Sequence, residues 1–131
     1  MENPNNPWHA HVYYDESTWP AAEQLHEQLE DMLKRGTCAG LVLVGHMYKE
    51  GVGPHPQPQF EVQFYEHAVP RMTELLKAAG LITLIHPLTL DDLADHTTLA
   101  HWLGEPIPLD VTVLDPPGIN QGFDRFGKTD F

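Results

Sequence analysis

Trp8-His9-Ala10-His11-Val12-Tyr13-Tyr14 is the stretch that decides the fold. Its apolar Trp8, Ala10, Val12 and Tyr14 alternate with His9, His11 and Tyr13, the period of two that lets a strand bury one face and present the other. The presented face carries two imidazoles two residues apart, close enough to reach one ion.

Outward from this strand, Ser17 or Thr18 can cap a helix with Pro20 in its first turn. Ala21, Leu25, Leu29, Met32 and Leu33 then recur on one face until Gly36, which predicts a helix over about 20–35. Leu41-Val42-Leu43-Val44, set between Gly40 and Gly45, is short enough for a buried strand. Gly51, Gly53, Pro54, Pro56 and Pro58 break the chain into a long loop. Phe60 to Tyr65 alternates again, with Glu61, Gln63 and Tyr65 opposite Phe60, Val62 and Phe64. Val69, Met72, Leu75, Leu76 and Ala79 predict a second helix over 67–79, stopped by Gly80. Leu81 to His86 reads as a fourth strand closed by Pro87, which lacks an N–H to continue a ladder. A third helix is expected from Asp91 or Asp92 to about Leu103, and an extra strand from Leu109 to Leu114.

Strand, helix, strand, strand, helix, strand is the order of a split βαβ, so the expected class is α+β. A ferredoxin-like antiparallel sheet would carry helices on one face, with a core over 8–109 and an extension over 110–131 in a single domain. In this topology the first strand lies between the third and fourth, which brings His86 towards His9 and His11. His9, His11, Tyr13, Glu61, Gln63 and Tyr65 would share the face that the helices leave open. Covering such a face predicts a dimer.

Composition narrows the chemistry. The chain has 131 residues with 19 acidic and 7 basic side chains, a formal charge of −12, so phosphate backbones and anionic membrane surfaces are repelled. No apolar run approaches the ~20 residues of a membrane span. A polar start without a signal-like segment, and a lone Cys38, fit a cytoplasmic, disulfide-free protein. Nine histidines are the outstanding feature. No glycine-rich phosphate loop, paired-cysteine motif or nucleophile elbow competes with them. Imidazoles, with Glu61 as a possible carboxylate, suit Fe(II), Mn(II) or Zn(II).

Each histidine motif also has a plainer reading. His9 and His11 could be solvated residues of an exposed sheet, His55 in Gly53-Pro54-His55-Pro56 a surface turn, and His86-Pro87 a strand stop. His96 and His101 are weaker candidates, and His26, on the first helix, is expected to be inert to function.

Four separated segments together resemble the DOPA 4,5-dioxygenase family, in the branch found in fungi and bacteria. They are Trp8 to Tyr14, Gly53-Pro54-His55-Pro56 leading to Phe60-Glu61-Val62, Leu84-Ile85-His86-Pro87, and Asp95-His96 leading to Trp102-Leu103-Gly104. The resemblance implies a ferredoxin-like fold, a homodimer, and extradiol cleavage of a catechol such as L-DOPA by O₂ at a non-haem metal, Fe(II) before Zn(II) or Mn(II). On that reading His11, His55 and His86 are the ligands. His9 is a ligand or base, His96 an acid/base group, and Tyr13, Glu61, Gln63 and Tyr65 contact substrate. The competing readings are a non-enzymatic metal- or small-ligand-binding dimer, and a dimer interface in which the histidines are polar contacts.

Overall fold

The computed structural model describes residues 5–116, 119 and 121–128. Strands β1 (Pro7–Tyr13), β2 (Leu41–Val44), β3 (Gln59–Tyr65), β4 (Thr83–Pro87) and β5 (His101–Leu103) form one antiparallel sheet in the order β2-β3-β1-β4-β5. Helices α1 (Trp19–Arg35) and α2 (Val69–Ala79) complete the split βαβ, and the fold is α+β as the patterning predicts. Among the described residues no helix is long and apolar enough to cross a membrane.

The alternation in β1 and β3 is what layers the molecule. Ala10, Val12, Tyr14, Phe60, Val62 and Phe64 face Ala22, Leu25 and Leu29 of α1 and Met72 and Leu76 of α2 in one apolar core. Burying a side chain of this size contributes roughly 1.5–3 kcal/mol, so this layer is the main source of fold stability. Both helices end on glycines with left-handed backbone, Gly36 and Gly80, as the sequence signals.

Three expectations are corrected. The third helix is the short α3 (Asp92–His96), after which the chain turns and pairs along β4 as the edge strand β5. The helical reading overran because α3 is inside out: Asp92, Asp95 and His96 are buried while Leu93, and Leu99 just after the helix, are exposed, so apolar spacing carries no information there. The stretch 109–114 is a short 3₁₀ turn, Val111–Val113, with both valines exposed, rather than a strand. Finally, the sheet face opposite α1 and α2 is covered by the chain itself. The loop after β2, α3 and residues 121–128 lie over it, and His9, His11, Tyr13, Glu61, Gln63 and His86 are all at most 3% exposed. The dimer inferred from an open face loses that premise. Residues 117, 118, 120 and 129–131 of the expected extension lie outside the described residues.

His26, expected to be inert to function, has a structural part. Its Nε2 lies 2.7 Å from Gly45 O and its Nδ1 2.7 Å from Glu30 Oε1, tying α1 to the end of β2. His26→Ala should therefore cost about 1 kcal/mol of stability, the scale of a part-buried hydrogen bond. Thermal melts should show a lower midpoint for this variant, with no effect on metal binding.

Candidate metal centre

The two-residue period and the strand register assemble the centre. His9 and His11 project from β1, opposite Gln63 and Glu61 of β3, and on its other side His9 pairs with His86 of β4. The ligating atoms of His9, His11 and His86 lie within 4.8 Å of one another, and all three side chains are buried. Two more imidazoles close around them. The His55 ring centre lies 4.2 Å from that of His11, and His96 lies 4.4 Å from His86.

His55 arrives by a route the sequence left open. It leaves the sheet at the end opposite His86, and the loop folds back across the face. A two-way backbone pairing of Val52 with His55 and a bond from Asp110 N to Pro54 O hold it there. A side chain at Gly51 would meet His55 O at 2.8 Å and the Pro56 carbonyl carbon at 2.9 Å, so only glycine allows this turn. His96 arrives because the Asp91 carboxylate caps α3, accepting from Ala94 N at 3.1 Å.

Hydrogen bonds behind the rings fix what each ring offers. His86 Nδ1 lies 2.8 Å from Pro87 O, and a carbonyl can only accept, so the hydrogen sits on Nδ1 and Nε2 presents a lone pair. His11 Nδ1 lies 3.0 Å from Gln59 Oε1, which places its hydrogen the same way. His9 Nδ1 lies 2.9 Å from Glu61 Oε1, another acceptor. Metal-binding imidazoles usually have their second nitrogen anchored in this manner.

The consequence is an edge that asks for a cation. His11 Nε2 and His86 Nε2 are 3.0 Å apart. With both Nδ1 atoms protonated, two lone pairs face each other across that gap. Two imidazoles bound at right angles to one ion at ~2.1 Å each would stand about 3 Å apart, so the donor set fits a divalent metal. Turning the Gln59 amide would instead move the His11 hydrogen to Nε2 and close the gap as a His11–His86 hydrogen bond. One amide orientation thus decides between a chelating edge and a self-satisfied pair.

Burial keeps these rings uncharged. Desolvation, followed by the neighbouring histidines, holds the pKa of His11 and of His86 well below the usual 6.5. Burial, then the nearby His96, lowers that of His55 to about 3.

A cavity of about 150 Å³ opens beside the cluster, its polar wall formed by His11, His55, Asp92, His96, Asp115 and Arg125 and the rest by residues 53–54 and 113–114. That is room for one benzene-sized ring. His96 Nδ1 lies 2.8 Å from Asp92 O and 3.3 Å from Asp92 Oδ1. Arg125 binds the same carboxylate through Nη1 at 2.9 Å and Asp115 through Nη2. Burial alone would raise the Asp92 pKa, but His96 and Arg125 hold it below the ordinary carboxylate range. A larger, open groove of about 450 Å³ at Tyr14, Trp19, Pro20 and Lys49 belongs to a different region and gathers no comparable set of groups.

The sequence-derived residues therefore divide. His9, His11 and His86 converge, while His55 and His96 wall the cavity. The four residues expected to touch substrate do not wall it. Tyr13 bonds His55 and Glu61 meets His9. Gln63 spends its amide on the backbone of Gly127 and Lys128, and Tyr65 packs on His67 and Phe126. Gln59, Asp92 and Arg125 were missed. Asp92 stands four residues before His96 at helical spacing, a signal that was present; nothing local marks Gln59 or Arg125.

A model of the Dopa 4,5-dioxygenase family matches residues 8–113. A DOPA 4,5-dioxygenase of Amanita muscaria is 27% identical over 112 residues, covering 82% of this chain and 49% of the relative. An uncharacterised 21.2 kDa protein of Botryotinia fuckeliana is 33% identical over 79 residues, 51% of this chain and 42% of its own length. The chain thus spans about half the length of the curated relatives it matches. A crystal structure of a candidate dioxygenase from Nostoc punctiforme superposes with a TM-score of 0.73 at 27% identity, covering 86% of this chain and 96% of that one.

Two outcomes follow for this centre. Gln59→Glu keeps an acceptor at His11 and should retain metal affinity, whereas Gln59→Leu should lose about 10- to 100-fold, measured by competition with a chromophoric chelator. Equal affinities in the two variants would remove Gln59 from the centre. The metal-free fold should also be acid-sensitive. Where pH lies below 6.5 but above the lowered values of His11, His55 and His86, the unfolded chain binds protons that the folded chain does not. Stability should then fall as pH drops below about 7, by up to ~1.4 kcal/mol per pH unit for each group. Urea melts of metal-free protein from pH 8 to pH 4 measure the slope, and a flat profile would contradict neutral buried rings.

Proposed function

The chain belongs to the Dopa 4,5-dioxygenase family, and on that footing we propose that it opens the ring of a small catechol with O₂, beside the hydroxyls, at a non-haem metal held by His9, His11 and His86. Fe(II) is the metal of choice, since imidazole sites with open positions suit iron and O₂ chemistry. The observation that carries the reading is the 3.0 Å approach of two anchored Nε2 atoms beside a ring-sized cavity. When bound, the metal supplies Lewis acidity towards the catechol oxygens and one-electron chemistry towards O₂.

The chain's own groups do the rest. The cavity limits the substrate to a small ring and keeps bulk water from the imidazoles. His96, its Nδ1 engaged by Asp92, has Nε2 left to take a phenolic proton as the catechol settles. Asp92 is well placed to stabilise the imidazolium so formed, and Arg125 keeps that carboxylate ionised and in position. Glu61 holds the His9 ring by its Nδ1 side. Apart from the metal, each of these roles belongs to a side chain already fixed by a second contact, so little reorganisation is needed as substrate enters.

Anaerobic loading with Fe(II), followed by oxygen uptake with a panel of catechols, tests the proposal. His11→Ala and His86→Ala should each lose most of the metal and all uptake. His96→Ala should keep the metal and slow turnover by about 10²-fold or more, the scale of a general acid–base group. Stoichiometric metal without oxygen uptake on any catechol would point instead to a metal-binding protein that is not an enzyme.

A further inference from the structure

Of the five imidazoles at the centre, His55 is held from the opposite side. His9, His11, His86 and His96 each have Nδ1 against an acceptor oxygen: Glu61, Gln59, Pro87 and Asp92 respectively. His55 Nδ1 instead meets the hydroxyl of Tyr13, at 2.6 Å. Tyr13 is 1% exposed, and its phenol carries an O–H at neutral pH. A buried O–H has to donate, and His55 Nδ1 is its partner. An imidazole that accepts at Nδ1 carries its one hydrogen at Nε2. Where the other rings turn lone pairs to the centre, His55 turns an N–H.

We propose that His55 is the hydrogen-bond donor of the cavity, offering Nε2–H to an oxygen atom of the bound substrate, and that Tyr13 is the positioning residue that fixes this tautomer. The proposal rests on the catechol-cleaving reading for the identity of that oxygen. It replaces the expectation that His55 is a ligand, because Nε2–H has no lone pair to give and Nδ1 is occupied. The arrangement is rigid on both sides. Tyr13 stacks on Trp102 of β5, ring centres 5.9 Å apart at 21°, and the hairpin at Val52 to His55 pins the imidazole's backbone. A donor in this place favours negative charge developing on a substrate oxygen without competing for the metal. It also explains why the loop is built around glycine and proline: the donor must be delivered at a fixed distance from the His11 ring.

The tautomer can be read without turnover. Long-range ¹H–¹⁵N correlation on the full chain loaded with Zn(II), which is redox-silent, should show His55 with hydrogen on Nε2 and a lone pair on Nδ1. Tyr13→Phe should shift His55 towards the other tautomer while metal content stays unchanged. In the Fe(II) protein, His55→Ala should retain stoichiometric metal but bind catechol more weakly and turn over about 10²-fold more slowly. His55→Gln, which keeps an N–H donor, should recover part of that loss. Hydrogen on His55 Nδ1 in the wild type, or loss of metal in His55→Ala, overturns the donor role. Should the wild type show the Nε2–H tautomer yet take up no oxygen with any catechol, the dioxygenase reading fails and the donation to a catechol oxygen falls with it, while the tautomer stands.

Discussion

Desolvation of imidazole is the constraint on which the rest of this structure depends. Five histidines share one dry face of the sheet, and taking a charged imidazolium out of water is costly, so burial drives His11, His55 and His86 to the neutral form. A neutral ring still has one hydrogen and one lone pair to satisfy. The chain meets that need with acceptors or donors placed behind each ring: Gln59, Glu61, Pro87 O, Asp92 and the Tyr13 hydroxyl. What remains facing the centre is a set of lone pairs and one N–H, the raw material of a metal and substrate site.

Keeping that face dry is the work of segments outside the regular core. Residues 121–128 are latched at two points. The Gln63 amide bonds Gly127 N and Lys128 O, and Arg125 bridges Asp92 and Asp115. Phe126 adds a ring stacked over His9, centres 6.5 Å apart. α3 contributes by turning its charged side inwards, the reverse of a helix that packs on an apolar layer. The two faces of one sheet thus follow different rules: one is closed by hydrophobic packing of α1 and α2, the other by directed polar contacts that need a partner for every buried group.

This division also separates roles among residues of one type. His11 and His55 have ring centres only 4.2 Å apart, yet the groups behind them give one a lone pair and the other a hydrogen for the centre. Asp92 similarly gives His96 a fixed orientation and a counter-charge. Chemistry here is assigned less by the identity of the inner ring than by the atom placed on its far side.

The alternation of Trp8 to Tyr14 and Phe60 to Tyr65, and the apolar spacing of α1 and α2, determined the sheet order and put His9, His11, Glu61 and Gln63 on one face. Those features are local and periodic, because a core layer demands the same spacing wherever it occurs. Legible too, from topology, was the approach of His86 to β1. Only the tertiary structure decided that the loop carrying His55 folds across the face, that α3 ends at His96 and β5 follows, and that residues 121–128 form the cover. It also brought the ligating atoms of His9, His11 and His86 within 4.8 Å of one another. These outcomes hang on single long-range contacts between polar atoms, such as Tyr13 with His55, Gln59 with His11 and Arg125 with Asp92, 42, 48 and 33 residues apart in sequence. A directed bond between two side chains leaves no repeat in the sequence, so it becomes visible only when the chain has brought both ends together.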